Sequence, residues 1–133
     1  MCTCITYQNK DFYFGRNLDL DCSFGEQVVV TPRDFPLEFR KAGTQTRHYA
    51  MIGMASANES FPLYAEAVNE KGLCMAGLNF PGNAFYQKAE GEGIELASFE
   101  LIAWILGKCS SVKEAERYLT DMTVVDLAFS LQM

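Results

Sequence analysis

Histidine is nearly absent from this sequence: His48 is the single imidazole among 133 residues. That argues against a His-based triad and against a multi-His metal site, so any chemistry must run mostly without the side chain that ordinarily moves protons near neutral pH. Long apolar runs are missing as well. The longest, Leu101 to Leu106, falls far short of the ~18 residues of a membrane span. Positive charge is scarce, with 11 Lys and Arg against 17 Asp and Glu and a net charge of −6. Nucleic acid and anionic membranes favour a basic face, so neither is expected as a partner. No repeat, low-complexity tract or linker interrupts the chain. Hydrophobic residues make up 49% and charged residues 21%, the balance of an ordinary globular chain, and the length predicts one domain or part of one.

The cysteines, at positions 2, 4, 22, 74 and 109, are odd in number. The amino-terminal Met1-Cys2-Thr3-Cys4 has neither the basic region nor the apolar core of a signal peptide. Free thiols in a reducing cytoplasm are the expectation. Cys2 and Cys4 form a C-x-C pair, but structural zinc takes four N or S ligands and no second pair lies at ligand spacing. No metal is expected.

The first two-thirds of the chain has the pattern of strands. Cys2 to Gln8 alternates, Asn9-Lys10-Asp11 is a polar turn and Phe12-Tyr13-Phe14 begins an aromatic strand, so residues 2–18 predict a hairpin. Val28 to Thr31 is a β-branched run ending at Pro32, and residues 33–48 are expected to form an exposed loop. Tyr49 to Met54 and Leu63 to Val68 predict strands around an irregular Ala55–Pro62 segment. Asn69-Glu70-Lys71-Gly72 is a turn signal, after which Leu73 to Asn79 returns as a strand. The period then changes. Leu96 to Leu106, apolar nearly all round, predicts a covered helix stopped by Gly107. Ser111-Val112-Lys113-Glu114 fits a capping box for a second helix burying Val112, Ala115, Tyr118 and Leu119. Val124 to Leu131 predicts a strand with nothing later in the chain to pair with, as though the sequence were cut.

Cys2 is the position that bears most on chemistry. Methionine aminopeptidase removes Met1 readily before a small residue, which would leave a thiol and a free α-amine on Cys2. An α-amine, with a pKa of ~7.7–8, is partly unprotonated near neutral pH. It can therefore take the thiol proton itself and replace the missing imidazole. Read alone, Cys2 is also just the residue after the initiator.

A hairpin turning near Asn9–Lys10 makes opposed positions sum to about nineteen or twenty, so Cys2 faces Asn17 or Leu18, with Arg16 and Asp19 beside it. A cation there lowers a thiol pKa and a carboxylate can hold the ammonium; by themselves the two are a strand-end ion pair. A second turn on Glu70–Lys71, with a sum of about 141, sets Asn79 opposite Pro62 and beside Phe61. Asn79 is either an amide donor to a developing oxyanion or a turn residue before Pro81-Gly82. Phe24, Phe61 and Phe80 would supply aromatic walls near Cys2.

Four motifs in order, Met1-Cys2-Thr3, Phe14-Gly15-Arg16-Asn17-Leu18-Asp19, Asn69-Glu70-Lys71-Gly72-Leu73 and Ala76-Gly77-Leu78-Asn79-Phe80-Pro81, make the chain similar to the choloylglycine hydrolase family. That family holds bile salt hydrolases and penicillin V acylases and belongs to the N-terminal-nucleophile hydrolases. The resemblance implies an α+β fold, an αββα sandwich, here incomplete: antiparallel strands followed by two helices. Residues 1–133 would be the N-terminal portion of one catalytic domain. It further implies Cys2 as nucleophile with its own amine as base, Arg16 and Asp19 as the polar residues around it, and Asn79 in the oxyanion hole. Leu18, Phe24 and Phe61 fall where the family's acyl pocket is lined.

Penicillin acylase members carry Tyr where this chain has Asn79, which favours the bile salt subgroup. The implied substrate is a glycine- or taurine-conjugated bile salt, with no cofactor, in a full-length protein that assembles as a homo-oligomer, a tetramer. Family members are more than twice this length, and their second half supplies another Asn and Arg of the site. The alternatives are a penicillin V or N-acyl homoserine lactone acylase and a non-catalytic fragment or binding module.

Overall fold

A computed structural model describes residues 2–57, 61–79 and 82–127. The chain opens with an antiparallel hairpin, β1 (Thr3–Gln8) and β2 (Phe12–Asn17), whose partners sum to twenty, Cys4 opposite Arg16. This is the upper of the two expected registers, and extending it by one step sets Cys2 against Leu18. Next come β3 (Glu26–Thr31), the short hairpin β4 (Leu37–Phe39) and β5 (Gly43–Gln45), then β6 (Met51–Ala57), β7 (Pro62–Asn69) and β8 (Cys74–Ala76). Strands β3, β6, β7 and β8 form a four-stranded sheet in the order β3-β6-β7-β8, antiparallel throughout.

Residues 33–48 are not simply an exposed loop. Their hairpin buries Leu37 and Phe39, and His48 is buried with its ring nitrogens 2.8 Å from the Tyr49 and Phe35 carbonyls. Glu38 between the two apolar positions, and Arg40-Lys41 in the turn that follows, hid a strand pair of only three residues each.

The centre of the sheet is closely built. Gly53 of β6 faces Ala67 of β7, and a Cβ on Gly53 would stand 2.0 Å from the Glu66 carbonyl oxygen, so no larger residue fits there. Between Met54 and Ala55 the pairing slips: Met54 faces Glu66, but Ala55 faces Tyr64. Ala65 is the extra residue of a β-bulge, a device that re-aims neighbouring side chains. Its carbonyl accepts from the Gly77 amide at 2.8 Å. Strand β8 is shorter than expected, ending at Ala76, and its partners sum to 142 instead of 141.

The last third corrects the sequence reading at one end of a helix. Ile94–Ala97 is a strand, β9, followed by a 3-10 turn (Ser98–Glu100) and then helix α1 (Leu101–Lys108). Leu96 and Ala97 belong to the strand because β10 (Met122–Val125) pairs with β9 in parallel, Val124 opposite Leu96. The final strand therefore has a partner, earlier in the chain. The rest of the Val124–Leu131 expectation, from residue 128 on, lies outside the described residues.

Gly107 does not stop α1 but sits inside it, where a Cβ would lie 3.2 Å from the His48 Cβ. Helix α2 (Val112–Asp121) starts at Ser111, whose hydroxyl accepts from the Glu114 amide at 3.3 Å. The reciprocal half of the box is shifted, because the Glu114 carboxylate accepts from the Ser110 amide and hydroxyl. Of the stripe expected to be buried, Ala115 is; Val112, Tyr118 and Leu119 are exposed. The core gathers α1 (Ile102 to Leu106), Leu96, Tyr64, Ala67, Leu73, Phe39 and Phe61 against one face of the sheet.

Candidate active site

Cys2 stands at the start of β1, partly exposed, with its Sγ 3.9 Å from the Asp19 carbonyl oxygen. Its thiol is held below the usual range, first by a backbone hydrogen bond at Asp19 and next by one at Asn79; partial burial opposes this, and the Arg16 charge adds to it. A thiolate is the nucleophilic form of cysteine, so each of these effects favours reaction. The Asp19 carboxyl is also held low, by a hydrogen bond from the chain's amino-terminal ammonium and by its charge. Cys109 and Cys74 are pushed the other way by burial, and all five thiols are unpaired. The environment singles out Cys2.

Arg16 reaches the same place from β2. Its Nη2 donates to the Gly77 carbonyl at 2.5 Å and its Nη1 lies 3.3 Å from Glu66 Oε2, with the Arg16 side chain only 4% exposed. Asn79 follows the end of β8 and lines the cleft into which Cys2 and Arg16 face, a space of about 680 Å³ that also touches Leu18, Leu20, Ala65 and Tyr86. Leu18, Leu20 and Ala65 are shared with a second cavity of about 410 Å³, walled by Phe24, Leu63, Tyr64 and Phe99. A mainly apolar cleft that holds the Cys2 thiol, Arg16 and Asn79 thus opens beside a still more apolar chamber, which suits a ligand with an apolar body and a polar reacting end.

Cys2, Arg16, Asn79, Leu18 and Phe24, chosen from sequence, line these two spaces, and Asp19 lies beside Cys2 without lining either. Phe61 is not. It is buried in the core with its ring edge-on to Phe39, centroids 5.4 Å apart, and lines neither space. Phe80 lies outside the described residues. Sequence reasoning also passed over Glu66, Ala65, Leu20 and Tyr86. For Glu66 a signal existed, a carboxylate between two alanines in an otherwise apolar strand, since buried charge needs a partner. Among the described residues no cluster of three His, Cys, Asp or Glu side chains is placed to hold a metal ion, and no helix is long and apolar enough to cross a membrane.

The geometry agrees with what the chain is similar to. A bile salt hydrolase/transferase of Lactiplantibacillus plantarum is 49% identical over the whole chain, and one from Clostridium perfringens is 35% identical over 98% of it. A crystal structure of a mutant conjugated bile acid hydrolase from Clostridium perfringens superposes on all of the chain with a TM-score of 0.87 at 33% identity. The chain spans 41% of the length of these two curated relatives and 42% of the solved chain. The αββα N-terminal-nucleophile fold is therefore present in part, as strands followed by two helices and then by β10, which returns to pair in parallel with β9. A sequence model of the linear amide C–N hydrolases, choloylglycine hydrolase family, matches residues 2–133, and the chain belongs to that family.

Proposed function

We propose that the protein, as its gene encodes it, hydrolyses the amide bond of glycine- or taurine-conjugated bile salts. The observation that carries this reading is the Cys2 thiol, held low by backbone hydrogen bonds at Asp19 and Asn79, in a cleft that shares Leu18, Leu20 and Ala65 with an apolar chamber. Once Met1 is removed, the Cys2 α-amine takes the thiol proton and the thiolate attacks the amide carbon. A C–S bond forms, and the backbone amide and side chain of Asn79 are the nearby donors for the oxyanion. Asp19 holds the ammonium. The ammonium gives its proton to the leaving nitrogen as the C–N bond breaks, releasing glycine or taurine. Water then hydrolyses the thioester, freeing the bile acid and restoring the thiol. No step calls for a metal or organic cofactor. Leu18 and Phe24 would face the steroid. We further place the working protein in the cytoplasm as a homo-oligomer, a tetramer; five unpaired thiols are in keeping with a reducing compartment.

The test is release of glycine and taurine from glycocholate and taurocholate, followed with ninhydrin, beside hydrolysis of penicillin V and an N-acyl homoserine lactone. Bile salts should be the best substrates. Cys2→Ser should lower turnover on the order of 10³-fold or more while the fold is kept, because a hydroxyl is a far poorer nucleophile near neutral pH. Intact mass should show loss of Met1 alone. Bile salt binding without thioester formation would make the protein a binding module, and activity retained with Met1 in place would exclude the amine as base.

A further inference from the structure

Arg16 is a buried cation, and a buried cation needs a countercharge. Among the described residues, the carboxylate within ion-pair distance is Glu66 on β7, at 3.3 Å. The pair is not a linear hydrogen-bonded fork: Arg16 Nε and Nη1 and Glu66 Oε2 are all buried without a hydrogen-bond partner. Charge attraction, not bond geometry, holds the guanidinium at that end. At the other end it donates to the Gly77 carbonyl, and the Gly77 amide is fixed in turn to the carbonyl of the bulge residue Ala65. Resting on the reading of Cys2 as nucleophile, we propose that Glu66 is a positioning residue, which holds the Arg16 guanidinium beside Cys2 and against the strand end that carries Asn79.

The consequence is mechanical as well as electrostatic. Arg16 bolts the β1–β2 hairpin, which carries the nucleophile, to the chain two residues before Asn79, which supplies an oxyanion donor. The bulge at Ala65 is next to Glu66 and changes which positions of β7 face β6 at that point. Burial pushes the Glu66 carboxyl up, with Arg16 and the Met54 backbone amide opposing. Without the Glu66 charge, nothing described within ion-pair distance repays the desolvation of Arg16, and the cleft offers the guanidinium a way to water. The other ionisable groups nearby are Cys2 and Tyr86 at the cleft, Asp19 and the amino-terminal charge acting beside Cys2, and Cys4, opposite Arg16 in the hairpin ladder.

The sign of one measurement separates positioning from a merely structural carboxylate. The rate of Cys2 alkylation by iodoacetamide, mapped by mass against pH, reports the thiol midpoint without any substrate. If Glu66 holds Arg16 in place, Glu66→Gln lets the cation leave, and the midpoint should rise by about half a unit, roughly threefold less thiolate at neutral pH. Turnover should fall with KM little changed. If Arg16 stays put regardless, removing a negative charge lowers the midpoint, so a fall or no change overturns the proposal. Glu66→Asp, which keeps the charge but shortens the reach, should give the same sign at smaller size and serves if the Gln variant does not fold. A wild-type protein inert to bile salts whose midpoint still rises in Glu66→Gln would refute the substrate reading alone. Normal bile salt turnover with an unmoved midpoint would refute the positioning role alone.

Discussion

Helix α1 on strand β7 and the β1–β2 hairpin are held by different physics. The helix buries Ile102 to Leu106 against Tyr64 and Ala67, and its place follows from apolar area removed from water. The hairpin buries little: Ile5, Tyr7, Phe12 and Tyr13 are all more than half exposed. What ties it to the sheet is polar and specific, the Arg16 guanidinium between Glu66 and Gly77. Apolar packing is tolerant of small errors in direction, whereas a charge-assisted hydrogen bond fixes an orientation. The hairpin that carries the Cys2 thiol is thus fastened by the more directional interaction, and the buried helix by the less directional one.

The largest effect expected from this contrast is in stability. Leu106 is wholly buried, and Leu106→Ala should cost about 2–5 kcal/mol by leaving a cavity. Ile5→Ala, at a side chain 65% exposed, should cost about 0.5 kcal/mol or less. Urea melts of the two variants measure the gap directly. Equal losses at both positions would mean that the hairpin is covered in the working protein and that the contrast describes this part of the chain alone.

What could be read from sequence divides along the same line. The hairpin register, the four-strand pattern and the placing of Arg16 and Asp19 beside Cys2 follow from local rules: alternation, turn residues and the arithmetic of opposed positions. That arithmetic does not place Asn79: β8 ends at Ala76, so Asn79 is not paired opposite Pro62, and its position at the cleft is what the family resemblance implies. The misses depend on partners distant in the chain. Leu96 has the pattern of a helix residue until β10, some 28 positions on, pairs with it. Leu37 and Phe39 look like loop residues until the core closes over them. The family resemblance implies Phe61 in the pocket, but an aromatic ring beside Phe39 loses more water by turning inward. The bulge at Ala65 leaves no mark in the residue pattern; Glu66 beside it does, as a lone carboxylate between two alanines, but its partner Arg16 lies fifty positions away in the chain.

A smaller effect is expected where the core itself depends on direction. Asn69 is buried, and its side-chain amide donates to the carbonyls of Leu106 and Cys109 at 2.8 and 2.7 Å while its oxygen accepts from the amides of Lys71 and Leu73, both at 3.0 Å. It satisfies carbonyls at the end of α1 and closes the β7–β8 turn at once. Asn69→Ala should cost about 1–3 kcal/mol, since buried polar groups are left without partners. Hydrogen exchange should speed up first at the amides of Lys71 and Leu73. If exchange rose evenly over the whole core, Asn69 would be acting through volume and not as a bolt.

The smallest effect lies at the rim, where Glu70 meets Arg33. The Glu70 carboxylate accepts from Arg33 Nε at 2.9 and 3.0 Å, from Arg33 Nη2 and from the Ala50 amide at 3.0 Å. These bonds, that of Arg33 first, hold its carboxyl down from the ordinary 4.5 to about 2. A carboxyl depressed on folding binds its proton more readily in the unfolded chain. Its contribution to stability is therefore complete above pH 4.5 and is lost as the pH falls toward 2. Because the site is open to solvent, screening keeps the effect small: Glu70→Gln should lower Tm by only about 1–2 °C near neutral pH. Two features distinguish this from packing. The difference between wild type and Glu70→Gln should close as the pH is lowered through that window, and it should shrink in about 1 M salt, where the screening length falls to about 3 Å. A Tm difference that survives both acid and salt would place Glu70 with the directional bolts such as Asn69, and the contrast between core and rim would have to be redrawn.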